Sequence, residues 1–417
     1  MSKLTKGQEE IISKAALFLD PKQKIEHIFK IEGSAGTGKT FSLDMIAKMN
    51  PEKTVGTAPT HKAVKVLENR VGEFISTGTI HKFLGLKPKR EGDSSILIRD
   101  RNYDPTQYFD LKTVILDEGS MVGQVLMEFI QKDIEAWGRK YVVSMDGLQL
   151  PPVNEKESAF AGSYKFQVSL DEVVRQAKDN PIIQTIQELR KAIIEGKAPE
   201  LRQNVKKGMG VHLMRKDTWE KKLMEFSKMS KDPDFFRIIA YRNETVHYYN
   251  SIVRSMLGMD TSVPFAPGEY VTVKEAFLQN DQVVLNTGEE LKVTKMVYHR
   301  HPVYPTLEGW EVTCEGKETK FHVLHSVKCA GALKLNLQKV AGECKESGNW
   351  NPYYTLKEYW VDLRPPFAIT AHQSQGSTFE NVFIDYRDIY TNRIKSEADR
   401  CLNVALTRPR QNDFVLF

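Results

Sequence analysis

Gly33-Ser34-Ala35-Gly36-Thr37-Gly38-Lys39-Thr40 satisfies the pattern G-x-x-x-x-G-K-[S/T] at every position. A β-branched run, Ile28-Phe29-Lys30-Ile31, precedes it, and a helical pattern from Phe41 to Met49 follows. Strand, glycine-rich loop and helix in that order let backbone N–H groups close around phosphates at a helix N-terminus. Gly33, Ser34, Ala35, Gly36, Thr37 and Gly38 would line the cradle. Lys39 would reach the β- and γ-phosphates, and the Thr40 hydroxyl would ligate Mg²⁺. ATP and Mg²⁺ are therefore the expected cofactors.

Further along, Thr54-Val55-Gly56-Thr57, Thr113-Val114-Ile115-Leu116 and Tyr141-Val142-Val143 are short apolar runs separated by helical patterns. Such runs suit a parallel sheet covered on both faces, so the expected class is α/β. Asp117-Glu118 directly follows the third strand-like run. Carboxylates at a strand's C-terminal end project toward the ligand edge of such a sheet. Asp117 would hold the metal, and Glu118 would orient and deprotonate the attacking water.

The chain has 417 residues, 41% hydrophobic and 27% charged. This composition excludes a disordered chain and leaves room for two to four domains. No run approaches the ~18 apolar residues of a membrane span. The N-terminus lacks the apolar core of a signal peptide, so the cytosol, bacterial or of a phage-infected host, is the expected location. The net charge of +5 is compatible with a phosphate-backbone partner. Cys314, Cys329, Cys344 and Cys401 form no C-x-x-C pair. Their spacing, even beside His322 and His325, matches neither a disulfide framework nor a zinc knuckle.

Residues 7–20 have helical spacing in Ile11, Ile12, Ala15, Ala16 and Leu19, closed by Pro21. Residues 85–109 break the α/β rhythm, and Gly92-Asp93 between two short runs predicts an inserted hairpin. A second α/β pattern starts near 166, with a helix around 181–196 and a strand at 236–240. From 269 to 361 alternating runs at 271–273, 282–285, 291–293 and 310–313 predict an inserted small β-barrel. The expected division is 1–84 and 110–165 for the first domain, 85–109 for its hairpin, 166–268 and 362–417 for the second domain, and 269–361 for its insertion. The aromatic residues Trp350, Tyr353, Tyr354, Tyr359 and Trp360 would supply core area, with stacking on bases as the competing use.

The ordered motifs resemble the superfamily-one helicases of the RecD/Dda branch, over nearly the whole chain. Gln8, in Leu4-Thr5-Lys6-Gly7-Gln8, resembles the family's adenine-reading glutamine. Ala58-Pro59-Thr60-His61-Lys62-Ala63 and Thr79-Ile80-His81-Lys82-Phe83-Leu84 resemble its first two DNA-contacting motifs. Pro59, Thr60, His61, Thr79, His81 and Lys82 would then touch DNA. Asp146-Gly147-Leu148-Gln149-Leu150-Pro151-Pro152 resembles the motif whose glutamine, here Gln149, senses the γ-phosphate; Met145 stands where the family usually has glycine. Leu170 to Gln176 resembles the segment supplying one arginine, Arg175, and Phe236 to Arg254 the stretch that opens the second motor domain. Ala368 to Phe379 resembles the next motif, with Thr370 and His372 toward DNA and Gln375-Gly376 toward nucleotide. Gln373 replaces a common lysine there. Asn403-Val404-Ala405-Leu406-Thr407-Arg408 resembles the closing motif, with Arg408 as a second arginine finger.

The resemblance implies two RecA-like motor domains, with an SH3-like barrel in the second and a strand-separating pin at 85–109. It implies an ATP-dependent DNA helicase moving 5′ to 3′ on single-stranded DNA, a monomeric motor that meets duplex junctions and a replication or recombination protein. Two other readings stay open: an RNA helicase or nucleic-acid-stimulated remodeller, and a nucleic-acid-binding module whose nucleotide site only switches conformation.

Overall fold

The computed structural model describes residues 4–23, 25–91, 94–152, 155–172, 179–230, 232–279, 282–325 and 327–417. The first domain is a six-stranded, all-parallel sheet. Its spatial order is Ser76–Thr79, Thr54–Ala58, Thr113–Leu116, Lys140–Met145, Ile28–Gly33 and Phe166–Leu170. The central strands are buried on both faces, so the period-two alternation sorts side chains between two cores. Ile31, Ile115 and Val142 meet Ile11, Phe18, Leu43, Ile46 and Leu67 from the helices Lys6–Leu19, Lys39–Ala47 and His61–Val71. Val114, Leu116, Tyr141 and Val143 meet Leu126, Met127 and Ile130 of the helix Gln124–Trp137. Each fully buried aliphatic side chain contributes about 1.5–3 kcal/mol.

The second domain repeats this plan. Its order is Ala368–Thr370, Phe236–Ala240, Phe379–Asp385, Pro409–Leu416, Met209–Met214 and Asn204–Lys206, parallel except for the last pair. Val382, Ile384 and Val415 face the helices Pro181–Ile194 and Lys395–Leu406. Ile238, Phe383 and Phe414 face Lys216–Met229 and Asn243–Met256. The α/β class with two RecA-like domains is thus the observed architecture.

One boundary differs from the sequence expectation. The second domain was expected from 166, but Phe166–Leu170 pairs with Ile28–Gly33 in the first sheet. It is an edge strand that alternates buried and exposed residues, a pattern that says nothing about which sheet it joins.

The hairpin pairs Leu86–Glu91 with Ser94–Arg99, from Leu86 opposite Arg99 to Glu91 opposite Ser94. The Gly92-Asp93 turn lies outside the described residues. Leu86 anchors the hairpin base in the first core. Tyr103 lies against Gly85, where a Cβ would sit 2.1 Å from its ring. Lys87 pairs with Asp100 at 2.9 Å. Further out, Ile96 is 41% exposed, and Leu97 and Ile98 are half-buried.

The insertion holds a five-stranded antiparallel sheet ordered Phe321–Leu324, Glu308–Cys314, Glu290–Arg300, Tyr270–Val273 and Leu363–Arg364. Val361 N–H donates to His322 O at 2.8 Å, which curls the sheet so that its last stretch returns beside its first. The expected SH3-like barrel goes further than these pairings. A 21-residue helix, Val327–Ser347, also stands in the insertion and was not expected from the sequence. Tyr353, Tyr354 and Trp360 are buried beside Leu307, Val340 and Leu356, with Trp350 and Tyr359 packed against them. The aromatic group is core.

Candidate active site

All strands of the first sheet run the same way, so one edge of it collects the residues that follow Gly33, Ala58, Thr79, Leu116 and Met145. After Gly33 the chain turns through Gly36 at φ 77° and Gly38 at φ 88°, a region that side chains with a Cβ rarely adopt. Gly38 then caps the helix beginning at Lys39. A Cβ on Gly33 would come within 2.7 Å of Thr37 Oγ1 and 2.9 Å of Leu170 Cβ, so the tight loop requires glycine there. Thr37 Oγ1 donates to Ser34 O at 2.8 Å. The Lys39 ammonium donates to Gly33 O at 2.7 Å and Ser34 O at 3.1 Å. Thr40 follows in the first turn of the helix.

Two strands away, Asp117 N–H donates to Thr57 O at 2.9 Å, which fixes the strand end. Asp117 Oδ1 accepts from Glu118 N–H at 3.0 Å and from the Ser144 hydroxyl. Glu118 stands at φ 56°, ψ 42°. A non-glycine residue held there costs about 1–3 kcal/mol, a strain that clusters at functional sites. Burial pushes the Glu118 carboxyl above the usual carboxylate range, and the Asp117 charge pushes it further. The cations Arg408 and Lys39 oppose that rise. Gln149 is buried, and its Oε1 has no hydrogen-bond partner among the described residues.

The second domain closes over this edge. Gln375 Nε2 donates to Leu150 O at 2.9 Å, and Asn403 Nδ2 to Leu148 O at 3.1 Å. Arg190 Nη1 donates to both oxygens of Asp146, at 2.8 and 2.9 Å. Gly376 packs so near the first domain that a Cβ there would lie 3.1 Å from Ala63 Cβ. Arg408 is buried at the entry to the strand Pro409–Leu416. Its guanidinium donates to Val404 O at 3.0 Å, Ser377 O at 3.1 Å and Thr407 Oγ1 at 2.7 Å. Burial lowers its pKa, while the Glu118 and Asp146 carboxylates across the cleft raise it.

The residues expected to face nucleic acid share one local design. Thr60, Thr79 and Thr370 each follow or end a strand and cap a helix. They accept from Ala63 N–H at 3.2 Å, Lys82 N–H at 3.2 Å and Gln373 N–H at 3.3 Å. Each helix start therefore offers backbone N–H groups and a hydroxyl, a set suited to phosphate oxygens. Pro59 and His61 flank the first cap. His81 and Lys82 follow the second. Burial, and then the charge of His61, hold the His81 imidazole below its ordinary pKa. His372 follows the third cap, with Nε2 3.4 Å from Glu397 Oε1.

The structure brings Lys39, Asp117, Glu118 and Arg408 into one charged neighbourhood, with Gln375 joined to Leu150 beside the buried Gln149 and Gly376 set against Ala63. Gln8 is buried, with its Oε1 accepting from Thr5 N–H in a capping box. Arg175 lies outside the described residues. Arg190 and the cross-cleft role of Asn403 were missed by the sequence reading. An arginine in mid-helix carries no local signal, and only the fold places it opposite Asp146.

Residues 3–213, just over half of the chain, match the family model described as an AAA domain. The chain belongs to that family. The AAA domain thus spans the whole first sheet and the entry to the second. The uncharacterized protein R530 of Acanthamoeba polyphaga mimivirus is 24% identical over 469 aligned positions, covering 93% of this chain and 94% of that protein. The uncharacterized protein MJ1519 of Methanocaldococcus jannaschii is 28% identical over 131 positions, 30% of this chain and 11% of that one. Among solved structures, Pif1 helicases studied at forked double-stranded DNA align with a TM-score of 0.52 and 17% identity, covering 99% of this chain and 92% of theirs. A Bacteroides Pif1 helicase in complex with ADP-AlF3 and single-stranded DNA gives 0.51 and 16%, with the same coverage. This likeness is one of fold, two RecA-like domains arranged as in those structures.

Proposed function

We propose that the protein is an ATP-dependent DNA helicase that translocates on single-stranded DNA and separates duplex strands. The observation that carries this reading is the composite cleft. The phosphate loop and the Asp117-Glu118 pair belong to one sheet, while Arg408 reaches the field of Glu118 from the other. A site divided this way is complete only when the two domains approach, so hydrolysis and domain motion are coupled.

The residues fit ATP and Mg²⁺. The loop's glycines leave no room for a Cβ at Gly33, and the buried Gln149 Oε1 lacks a protein partner among the described residues. Bound Mg²⁺ would neutralise phosphate oxygens, held by Thr40 and Asp117. Lys39 leaves the loop carbonyls for the phosphates. Glu118, whose raised pKa poises it as a base, orients a water and takes its proton. Gln149, with Gln375 and Gly376 beside it, senses the γ-phosphate, and Gln8 reads adenine. Arg408 and Arg175 stabilise charge on the transferring phosphoryl group. The capped helix starts at Thr60, Thr79 and Thr370, with Pro59, His61, His81, Lys82 and His372, grip the DNA backbone from both domains. Alternating grip as the cleft opens and closes gives net movement. Likeness of the motifs to the RecD/Dda branch, and within it to the phage Dda helicase, supports 5′-to-3′ polarity, a monomeric motor and a replication or recombination partner. The hairpin 85–109 then acts as the separating pin.

Strand displacement on duplexes with a 5′ or a 3′ single-stranded tail, and ATP turnover with single-stranded DNA or RNA, test the reading. ATP-dependent displacement confined to 5′-tailed duplexes is expected. Turnover stimulated by RNA alone, or no turnover at all, would overturn it.

A further inference from the structure

The helix Lys395–Leu406 carries Glu397 in its first turn and Cys401 four residues later, so both side chains lie on one face. The short helix Ala371–Ser374 packs against that face and brings His372 to it. The ligand atoms of His372, Glu397 and Cys401 all lie within 4.8 Å of one another. His372 and Glu397 keep 33% and 29% of their side chains exposed, whereas Cys401 is fully buried. One nitrogen, one carboxylate oxygen and one sulfur thus converge on a point open to solvent on one side.

We infer that His372, Glu397 and Cys401 form a regulatory site for Zn²⁺, with a fourth position left to water. The donor set selects the ion. A thiolate and an imidazole favour zinc over magnesium, which takes oxygen ligands. Zinc bonds of about 2.0–2.3 Å at tetrahedral angles need ligand atoms roughly 3.3–3.6 Å apart, so the cluster contracts by about 1 Å on binding. A thiolate and a carboxylate together balance the charge of the dication.

Binding is a ligand exchange without redox change. The Cys401 S–H bond breaks, an S–Zn bond forms, and the proton leaves to solvent. The buried thiol holds its proton strongly, pushed up to about 12 by burial with the Glu397 carboxylate adding to it. Zinc affinity therefore rises with pH. Burial holds His372 below its ordinary pKa, although Glu397 opposes that, which favours the neutral imidazole that a metal needs.

The consequence rests on the proposed role of His372 at nucleic acid. A metal clamp draws that imidazole onto the helix whose far end leads into Thr407 and Arg408, and away from the bound strand. Zinc and single-stranded DNA then oppose each other's binding by the same factor.

The test uses the full-length protein and Co²⁺, a spectroscopic stand-in for zinc. Wild type should bind one Co²⁺ with a thiolate-to-metal charge-transfer band that Zn²⁺ bleaches. Cys401→Ser should lose the band. Glu397→Gln, at a half-exposed position that folding tolerates, should weaken binding at least tenfold. A wild type without the band, a band that persists in Cys401→Ser, or unchanged affinity in Glu397→Gln would overturn the site. Single-stranded DNA affinity is measured with and without one equivalent of Zn²⁺. Loss of DNA affinity is expected. Unchanged affinity with the band intact would overturn the antagonism and the role of His372 while leaving the metal site standing.

Discussion

The two walls of the nucleotide cleft are built differently. The wall from the first sheet holds groups in need of partners: Gln149 Oε1 has none among the described residues, and Glu118 is strained and held protonated more easily than an ordinary carboxylate. The wall from the second sheet presents Arg408 with its guanidinium already occupied by Val404, Ser377 and Thr407. Both cations rest on internal acceptors, Lys39 on the Gly33 and Ser34 carbonyls and Arg408 on groups of its own domain, but only the first wall also keeps an unpartnered acceptor among the described residues. The proposed gate is Arg408, the cation that the second domain has to bring across the cleft.

Substitutions on the two walls should therefore fail in different ways. Lys39→Ala should nearly abolish ATP hydrolysis and weaken nucleotide binding with the fold intact; wild-type turnover in a steady-state assay would remove the phosphate loop from the nucleotide site. Arg408→Ala should cut turnover by ~10³–10⁵, with nucleotide affinity changed far less. Equal loss of affinity would mean that Arg408 is part of the docking surface and not of the gate. Glu118→Gln should bind ATP-Mg²⁺ normally and hydrolyse it slowly, because the proposed metal ligand Asp117 remains. A matching loss of affinity in equilibrium binding would merge two roles that the geometry keeps apart.

The hairpin sharpens the contrast from outside the cleft. Replacing 90–98 with a Gly-Ser turn leaves Leu86, Tyr103 and the Lys87–Asp100 pair in place. DNA-stimulated ATPase should persist while strand separation falls sharply. Unwinding at the normal rate would remove the pin. The exposure of Ile96 favours the pin, since an apolar wedge can replace base stacking at a junction.

Asp413 supplies the smallest effect and a control. Like Gln149 it is buried without a side-chain hydrogen-bond partner among the described residues, but it lies in the second sheet between Val211 and Val382. Burial raises its pKa well above the ordinary value of 3.8. The folded state therefore binds a proton that the unfolded chain releases. The protonated carboxyl is tolerated below about pH 4, and stability falls as pH rises through the folded-state pKa. Asp413→Leu should stabilise the protein by about 1–3 kcal/mol at pH 7, with the gain shrinking toward pH 4 in denaturant melts. Turnover should stay unchanged. No gain at pH 7 would mean that the carboxyl has a partner.

The first wall was legible in the sequence because its chemistry is local. The phosphate loop occupies eight consecutive residues, and Asp117-Glu118 follows its strand directly. The second wall was legible only through likeness of motifs, since Thr407-Arg408 acquires meaning from a sheet assembled out of residues 200 positions apart. Arg190 opposite Asp146 escaped for the same reason. Phe166–Leu170 was placed in the wrong sheet because an edge strand's alternation does not name its neighbour. The helix Val327–Ser347 did carry a signal, with Leu333, Leu337, Val340, Ala341 and Cys344 at helical spacing.

In the proposed helicase both walls act on one nucleotide within one chain. Mixing equal amounts of Lys39→Ala and Arg408→Ala proteins tests it directly, with single-stranded DNA and ATP in excess. Each chain then lacks one wall and carries the other intact. The mixture should turn over no faster than the two variants separately. Recovery of a substantial share of wild-type turnover would show walls shared between chains and would contradict it.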